Sequence, residues 1–462
     1  MKWLVLVAVS GSVLPLAFWL RDSPERQLNL FALISFLPFV LSVLTQLDIA
    51  LISWRTWLGF THGIEVTAID VLALALLISL PPAQQPLPFR FVFSLYVAAI
   101  LISIFQADVP LAASFYAWQF LRMFLLFAVI SRACAGDIRV PSALLKGMAA
   151  GLIMQSLIAV WQRYGLGAVQ THGTFVHQNT LGMVAHMVAL PLFALLLAGH
   201  RRWHTLAAPL SAALIAVLTA SRAAIGLIVL GLGLVLMLSG LRRWTVRKAV
   251  ITILGLLLVA SLAPLAVSSF ERRFAATPFE QDYGERAAFN RAAALMLRDH
   301  PMGVGANHYV IMAKNHGYSE RAGVIAFAAS RNAHVHNAFW LAAAETGYVG
   351  LGALLLLMLR PLGVAFADGW RYREDLRGDL LLGLGAALLM VYIHSLFEWI
   401  LFTSQVQYLF VIAVGMVAGC AQQLRGTNES GRMVRAAPLS ARSLRAPRND
   451  ERPRGFPGST RS

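Results

Sequence analysis

Stretches of about 17 to 25 predominantly apolar residues recur along almost the whole of this chain, and no other feature limits its fold so tightly. A run of that length crosses a hydrocarbon core of about 30 Å as a helix, and a helix satisfies its own backbone groups where no water is available. Spans are expected near 3–20, 29–52, 65–80, 91–106, 115–131, 141–164, 181–199, 205–220, 223–239, 249–267, 338–360, 380–400 and 404–420. Composition agrees: 58% of the 462 residues are hydrophobic and 13% charged, too apolar for a chain that hides its core from water on all sides. The expected fold class is all-α, a polytopic transmembrane helix bundle of about 12 to 13 spans with one large external loop containing short helices. Its organisation divides into helices 1–10 over 1–267, a large loop over 268–337, helices 11–13 over 338–420, and a basic tail over 421–462.

Positive charge orients such a bundle, because short loops rich in Lys and Arg stay on the cytoplasmic side. Arg21/Arg26, Arg90, Arg132/Arg139, Arg201/Arg202, Arg242/Arg243 and Arg371/Arg373/Arg377 alternate onto one side, and the short opposite loops carry little beyond Arg55 and Arg222. The C-terminus is therefore expected inside and the 268–337 loop outside. The first span is read as retained, since Arg21, Asp22, Pro24, Glu25 and Arg26 follow it without a small-residue cleavage pattern. The tail holds nine Arg against Glu429, Asp450 and Glu451; it is read as disordered and solvated, with no nucleic-acid partner assigned. Cys134 and Cys420 are isolated, which supports neither a disulfide framework nor a thiolate metal site.

The 268–337 segment breaks the apolar pattern. Residues 285–299 read as a helix that His300-Pro301 and the glycines at 303 and 305 terminate. Arg286 and Arg291 lie on it, and the planar donor fork of Arg suits phosphate oxygens. At its end, His334-Val335-His336-Asn337 precedes the eleventh span with Asn337 as a helix cap, so His336 sits at a helix N-terminus, where a neutral imidazole accepts a proton beside a site favourable to anions. A metal reading of His334 and His336 needs two or three more ligands. His172, His177, His300, His308 and His316 offer no recognised spacing with the pair, and no metal or other cofactor is assigned.

Ionisable residues within spans are costly and call for partners or a purpose. Arg222 lies at the tight outer turn of Ala220-Ser221-Arg222, His394 and Glu398 are spaced i, i+4 near the outer end of span twelve, and Glu345 is two turns inside span eleven. A structural His394–Glu398 pair is the plain alternative to a functional one. Arg122, mid-span in the fifth helix, has no evident partner in the sequence.

These residues resemble the O-antigen ligase and polymerase superfamily of bacterial envelope glycan transferases. His336-Asn337, nine residues, then Gly347-Tyr348-Val349-Gly350 fit a spacing typical of its ligases, although Leu351 and Gly352 stand where ligases often carry two Thr. Arg286 through Gly305 resembles the family's external loop, and Phe175–Gly182 with Asn179, Ser221-Arg222, and His394–Glu398 resemble further motifs. The resemblance implies metal-independent, inverting glycosyl transfer at the periplasmic face of the bacterial inner membrane. The donor would be a polyprenyl-diphosphate-linked glycan and the acceptor a hydroxyl of lipid A core or of a growing polysaccharide, with membrane lipids around the spans. It implies His336 as general base and Arg222 and Arg286 as the clamp on the diphosphate, with Asn337, Arg291, His394, Glu398 and Asn179 contacting substrate. A polymerase of the same superfamily and a protein O-oligosaccharyltransferase share this skeleton. A solute transporter is the rival from another class, and it predicts paired broken spans near the midplane rather than polar residues gathered at outer span ends.

Overall fold

The computed structural model describes residues 2–44, 48–83, 85–276 and 279–436. The chain is an all-α bundle: α1 (Lys2–Arg21), α2 (Pro24–Phe36), α3 (Ala68–Ser79), α4 (Arg90–Ile104), α5 (Pro110–Gly136), α6 (Val140–Tyr164), α7 (Gln178–Ala198), α8 (Trp203–Leu218), α9 (Arg222–Arg242) and α10 (Val246–Ala276) precede the large loop. The loop holds α11 (Phe279–Asp299), α12 (Tyr309–Asn315), α13 (Tyr318–Arg321) and α14 (Ala328–Arg331). The helices α15 (Ala338–Arg371), α16 (Leu376–His394) and α17 (Ser404–Ala436) complete it. Among the described residues eight helices are long and apolar enough to cross a membrane: α5, α6, α7, α9, α10, α15, α16 and α17. Helices α3, α4 and α8 are shorter apolar rods. The chain is a multi-pass membrane protein.

Local chemistry sets the helix starts. Pro24 and Pro110 occupy first turns, where a missing N–H costs nothing, and Ser23, His177, Ser221, Asn337 and Asp375 each accept a first-turn N–H with a side chain. Position in the bundle follows hydrophobicity less than neighbours do. In the most apolar stretch of α7, 83% of residues are buried against other helices, so α7 is central; in that of α10 none are, so Ile253, Leu254, Leu256 and Leu257 form a lipid-facing perimeter.

Two expectations change. The apolar run 29–52 is not one span, because α2 stops at Phe36 ahead of Pro38 and the chain returns as a hairpin. Its strands β1 (Asp48–Ser53) and β2 (Gly63–Thr67) are antiparallel, with Asp48 opposite Thr67 and Ile52 opposite Ile64. Segment 54–61 between them tucks among helices: Trp57 is buried, and Thr61 donates its hydroxyl to Gln119 Oε1 at 3.1 Å. At the other end α17 continues to Ala436, into the stretch read as tail, and residues 437–462 lie outside the described residues.

The partner of Arg122 is now evident. Its Nη1 donates to Asp70 at 2.7 Å and to the Tyr408 hydroxyl at 3.1 Å, with both ion-pair members buried. Asp70 also accepts from the N–H and hydroxyl of Thr67, so this network ties α3, α5 and α17 to the hairpin.

A kink in α15 seats the large loop. At Gly347 the backbone takes φ 68° and ψ −171°, which breaks the helical hydrogen-bond ladder. Loop N–H groups satisfy the freed carbonyls: Val304 donates to Ala344 O and Gly305 to Glu345 O, each at 2.9 Å, while Tyr348 N–H donates to Pro301 O at 3.1 Å. Glu345 therefore has a structural task. Its two carboxylate oxygens accept from Asn307 N (2.8 Å) and Tyr309 N (3.0 Å). Asn307 is at φ 63°; its side chain donates to Thr61 O and Ala112 O and so binds the loop to the hairpin segment and to α5. Irregular backbone at this depth survives because protein, not lipid, surrounds it.

Candidate active site

Four chain segments meet at the loop end of the bundle around one carboxylate. The helix α16 ends at His394, and the turn that follows carries Glu398 back under the loop, where its side chain is 2% exposed. Glu398 Oε2 lies 3.0 Å from His336 Nδ1, and Oε1 accepts from Arg286 Nη2 at 3.2 Å and from Asn179 Nδ2. Burial by itself pushes this carboxyl up, but hydrogen bonding and positive charge from His336, with Arg286 and His177 nearby, outweigh it and hold the group at about 2. Glu398 is an anion at neutral pH.

That charge fixes the histidine. An ionised carboxylate only accepts, so Nδ1 of His336 carries a proton and donates it, and in the neutral ring Nε2 then holds the lone pair. His336 remains partly open to solvent and rests against Phe289, with ring centroids 5.9 Å apart. A histidine backed by a buried carboxylate and presenting Nε2 outward is suited to take a proton from a hydroxyl.

The supporting shell comes from helix starts. Asn337 caps α15, with Oδ1 accepting from Phe339 N and Trp340 N at 2.9 and 3.0 Å, while its Nδ2 donates to Leu396 O at 2.9 Å. It thereby joins the His336 segment to the Glu398 turn and positions both. Asn179, in the first turn of α7, accepts the Ser221 hydroxyl at 2.8 Å, which orients its amide toward Glu398. Ser221 follows Ala220, whose φ of 48° makes the turn between α8 and α9 tight. Arg222 comes next, half-buried at the head of α9, so the cluster brings it to the same end of the bundle. Arg286 also donates Nη1 to Phe397 O at 2.7 Å, gripping the turn at Phe397 as well as at Glu398.

Two residues expected at the substrate face elsewhere. Arg291 directs Nε and Nη2 to Ala322 O, at 3.2 and 2.9 Å, and staples α11 to the residue after α13; five positions from Arg286, it points off another side of the helix. His394 does not pair with Glu398 through its side chain. It sits fully buried with Nδ1 3.2 Å from Nε2 of His186 on α7. His186 was missed by the sequence reading, although it lies seven residues from Asn179, the helical spacing that puts both on one face of α7.

His334 has no such role. It is buried, stacks on Trp399 with ring centroids 4.3 Å apart, and burial, with His336 and His62 adding to it, pushes its pKa down to about 3. Among the described residues its Nε2 has no hydrogen-bond partner, and no group of three His, Cys, Asp or Glu side chains is placed to hold a metal ion. Because His334 is neutral when folded and titrates near 6.5 when unfolded, the unfolded chain binds the extra proton between those values, so stability falls as pH drops below 6.5. His334→Phe keeps the stacking and is expected to remove about 2 kcal/mol of the stability lost between pH 7 and pH 5. Thermal melts of the purified protein at the two pH values check this; an unchanged difference in Tm rejects it.

A family model described as O-antigen ligase matches residues 207–355. This match supports a place for the chain in the O-antigen ligase superfamily. The match runs from α8 through the kink of α15 and includes Arg222, Arg286, Arg291, His336, Asn337 and the Gly347-x-x-Gly350 pair. Asn179, His394 and Glu398 lie outside it and join the site only through the fold. No curated protein matches the chain. The match supports an O-antigen ligase or polymerase type of activity in general, a glycosyltransferase-like one. In this chain the Gly-x-x-Gly spacing has a mechanical meaning, since Gly347 is the kink on which the loop bearing Arg286 docks.

Proposed function

We propose that the protein transfers a glycan from a polyprenyl-diphosphate-linked donor to an acceptor hydroxyl, with inversion, at the periplasmic face of the bacterial inner membrane. The observation that carries this reading is the His336–Glu398 pair, which leaves His336 Nε2 as a base at the loop end of the bundle. The acceptor oxygen attacks the anomeric carbon as its proton passes to Nε2, and the bond from that carbon to the diphosphate oxygen breaks, the electron pair leaving with the diphosphate. Arg222 and Arg286 stabilise the departing charge. The orientation rests on charge: the opposite end of the bundle carries Arg201, Arg202, Arg242, Arg243, Arg371 and Arg373.

Ligase action onto lipid A core is the reading placed first, on the His-Asn spacing. Polymerisation is the second, on Leu351 and Gly352 at the positions where ligases often carry Thr. The test is the full chain in vesicles with a polyprenyl-diphosphate-linked glycan, scored for a new glycosidic bond together with released polyprenyl diphosphate. Absence of both sinks the proposal, and activity lost on adding chelator sinks its metal-free form. Surface glycan from a null strain separates the two readings: single repeat units on core indicate a lost polymerase, and accumulated lipid-linked polymer indicates a lost ligase.

A further inference from the structure

At the end of the bundle away from the loop, α4, α15 and α17 part around a cavity of about 510 Å³. Three guanidinium groups line it, from Arg90, Arg360 and Arg425. Of the three, only Arg425 has an ion-pair partner among the described residues, Asp368 at 2.6 Å, which leaves Arg90 and Arg360 without one there. Arg90 opens α4 behind Phe89, whose φ of 59° gives the helix an abrupt start with no side-chain cap. The first N–H groups of α4, which have no intrahelical acceptor, therefore add partial positive charge at the same rim. Across the cavity, Gln422 Nε2 donates to Gln85 Oε1 at 2.7 Å.

The depth of this feature identifies what reaches it. Arg360 lies 22 residues beyond Ala338 on α15 and Arg425 lies 21 beyond Ser404 on α17, which at 1.5 Å per residue puts both about 30 Å from the loop end. That is the thickness of a hydrocarbon core, so the guanidinium groups are at headgroup level in the leaflet opposite His336. Apolar residues belong to the same lining: Val92, Val364 and the exposed Phe91 stand beside the cations, an arrangement matched by a ligand with an anionic head and an acyl tail. A soluble anion has no use for that apolar side.

We propose that this cavity binds the phosphate-bearing headgroup of an anionic membrane lipid, with Arg90 and Arg360 on the phosphate and Phe91 along the first part of the acyl chain. Basic pockets between transmembrane helices at the cytoplasmic side are suited to such headgroups. The site is remote from the Glu398 cluster and does not depend on the transfer reaction. Its effect is to hold α4 against α15 and α17 through a lipid that bridges their cations.

The test uses the full chain in detergent, equilibrated with equal amounts of phosphatidylglycerol and phosphatidylcholine and read by native mass spectrometry for retained lipid. Wild type is expected to retain phosphatidylglycerol preferentially, and R90Q/R360Q to lose that preference by fivefold or more. Both arginines are exposed and make no ion pair among the described residues, so neutralising them leaves the core intact; R425Q is avoided because it strands Asp368. R371Q/R373Q removes the same charge at the same end of the bundle outside the cavity and is expected to bind like wild type. Equal retention by wild type and R90Q/R360Q overturns the proposal, as does an equal loss in R371Q/R373Q, which reduces the effect to net charge. Displacement of the lipid by inorganic phosphate at about the same concentration assigns the site to a free anion and overturns the lipid reading.

Discussion

With alanine in place of His336, glycan transfer is expected to fall by about 10²- to 10⁴-fold while the protein reaches the membrane at its normal level. The side chain is a quarter exposed and its ring rests against Phe289, so little core packing is lost with it. What disappears is the one group placed to accept the acceptor's proton. Glu398→Gln tests the same arrangement from behind. The amide keeps the shape of the carboxylate but has one acceptor oxygen, and with that oxygen held by Arg286 and Asn179 its NH2 faces Nδ1, so the imidazole turns its proton outward or loses its orientation, and a fall in kcat on the order of 10³-fold follows. Both variants are assayed in vesicles with the lipid-diphosphate donor. A merely structural histidine predicts matched losses of stability and activity, whereas a base predicts for His336→Ala a kcat loss far larger than the drop in Tm from the lost Glu398 hydrogen bond accounts for. Transfer within threefold of wild type in that variant removes His336 from the mechanism.

Much of the site was legible in the sequence because its residues stand at helix starts, and helix starts announce themselves. Asn337 reads as a cap, and is one; Ser221-Arg222 reads as a tight outer turn, and Ala220 supplies it with a positive φ. The Glu398 partner was not legible. Spacing i, i+4 suggested His394, but α16 ends at His394, so the four-residue rule of a helical face does not apply beyond it. The partner is 62 residues upstream, and only the folded turn brings it within 3.0 Å. His186 failed for another reason: a single histidine in an apolar helix shows nothing of a partner on a different helix. The hairpin at 48–67 was hidden by its own hydrophobicity, since an apolar run reads as a span until Pro38 and the pairing strand are weighed together.

Gly347→Ala is the substitution expected to damage the fold most. The residue holds φ 68° and ψ −171°, a region essentially closed to side chains, and a Cβ there would meet Met302 C and Pro301 O at 2.4 Å, both backbone atoms that cannot turn aside. Relief requires the 301–305 segment to lift from α15. That movement breaks the bonds from Val304, Gly305 and Tyr348 and draws Asn307 and Tyr309 off Glu345, leaving a buried carboxylate without its N–H donors. The combined cost is on the order of several kcal/mol, at about 1–3 kcal/mol for each buried polar group left unmet. Gly352→Ala is the matched control, five residues along α15 with nothing within 4 Å of its added Cβ. Thermal melts of the two purified variants, with limited proteolysis of the loop, decide the matter. Gly347→Ala is expected to melt well below wild type and to be cut within 300–337, while Gly352→Ala stays intact. Equal melting temperatures for the two variants remove the docking role of the kink, and the Gly-x-x-Gly spacing then loses its physical explanation.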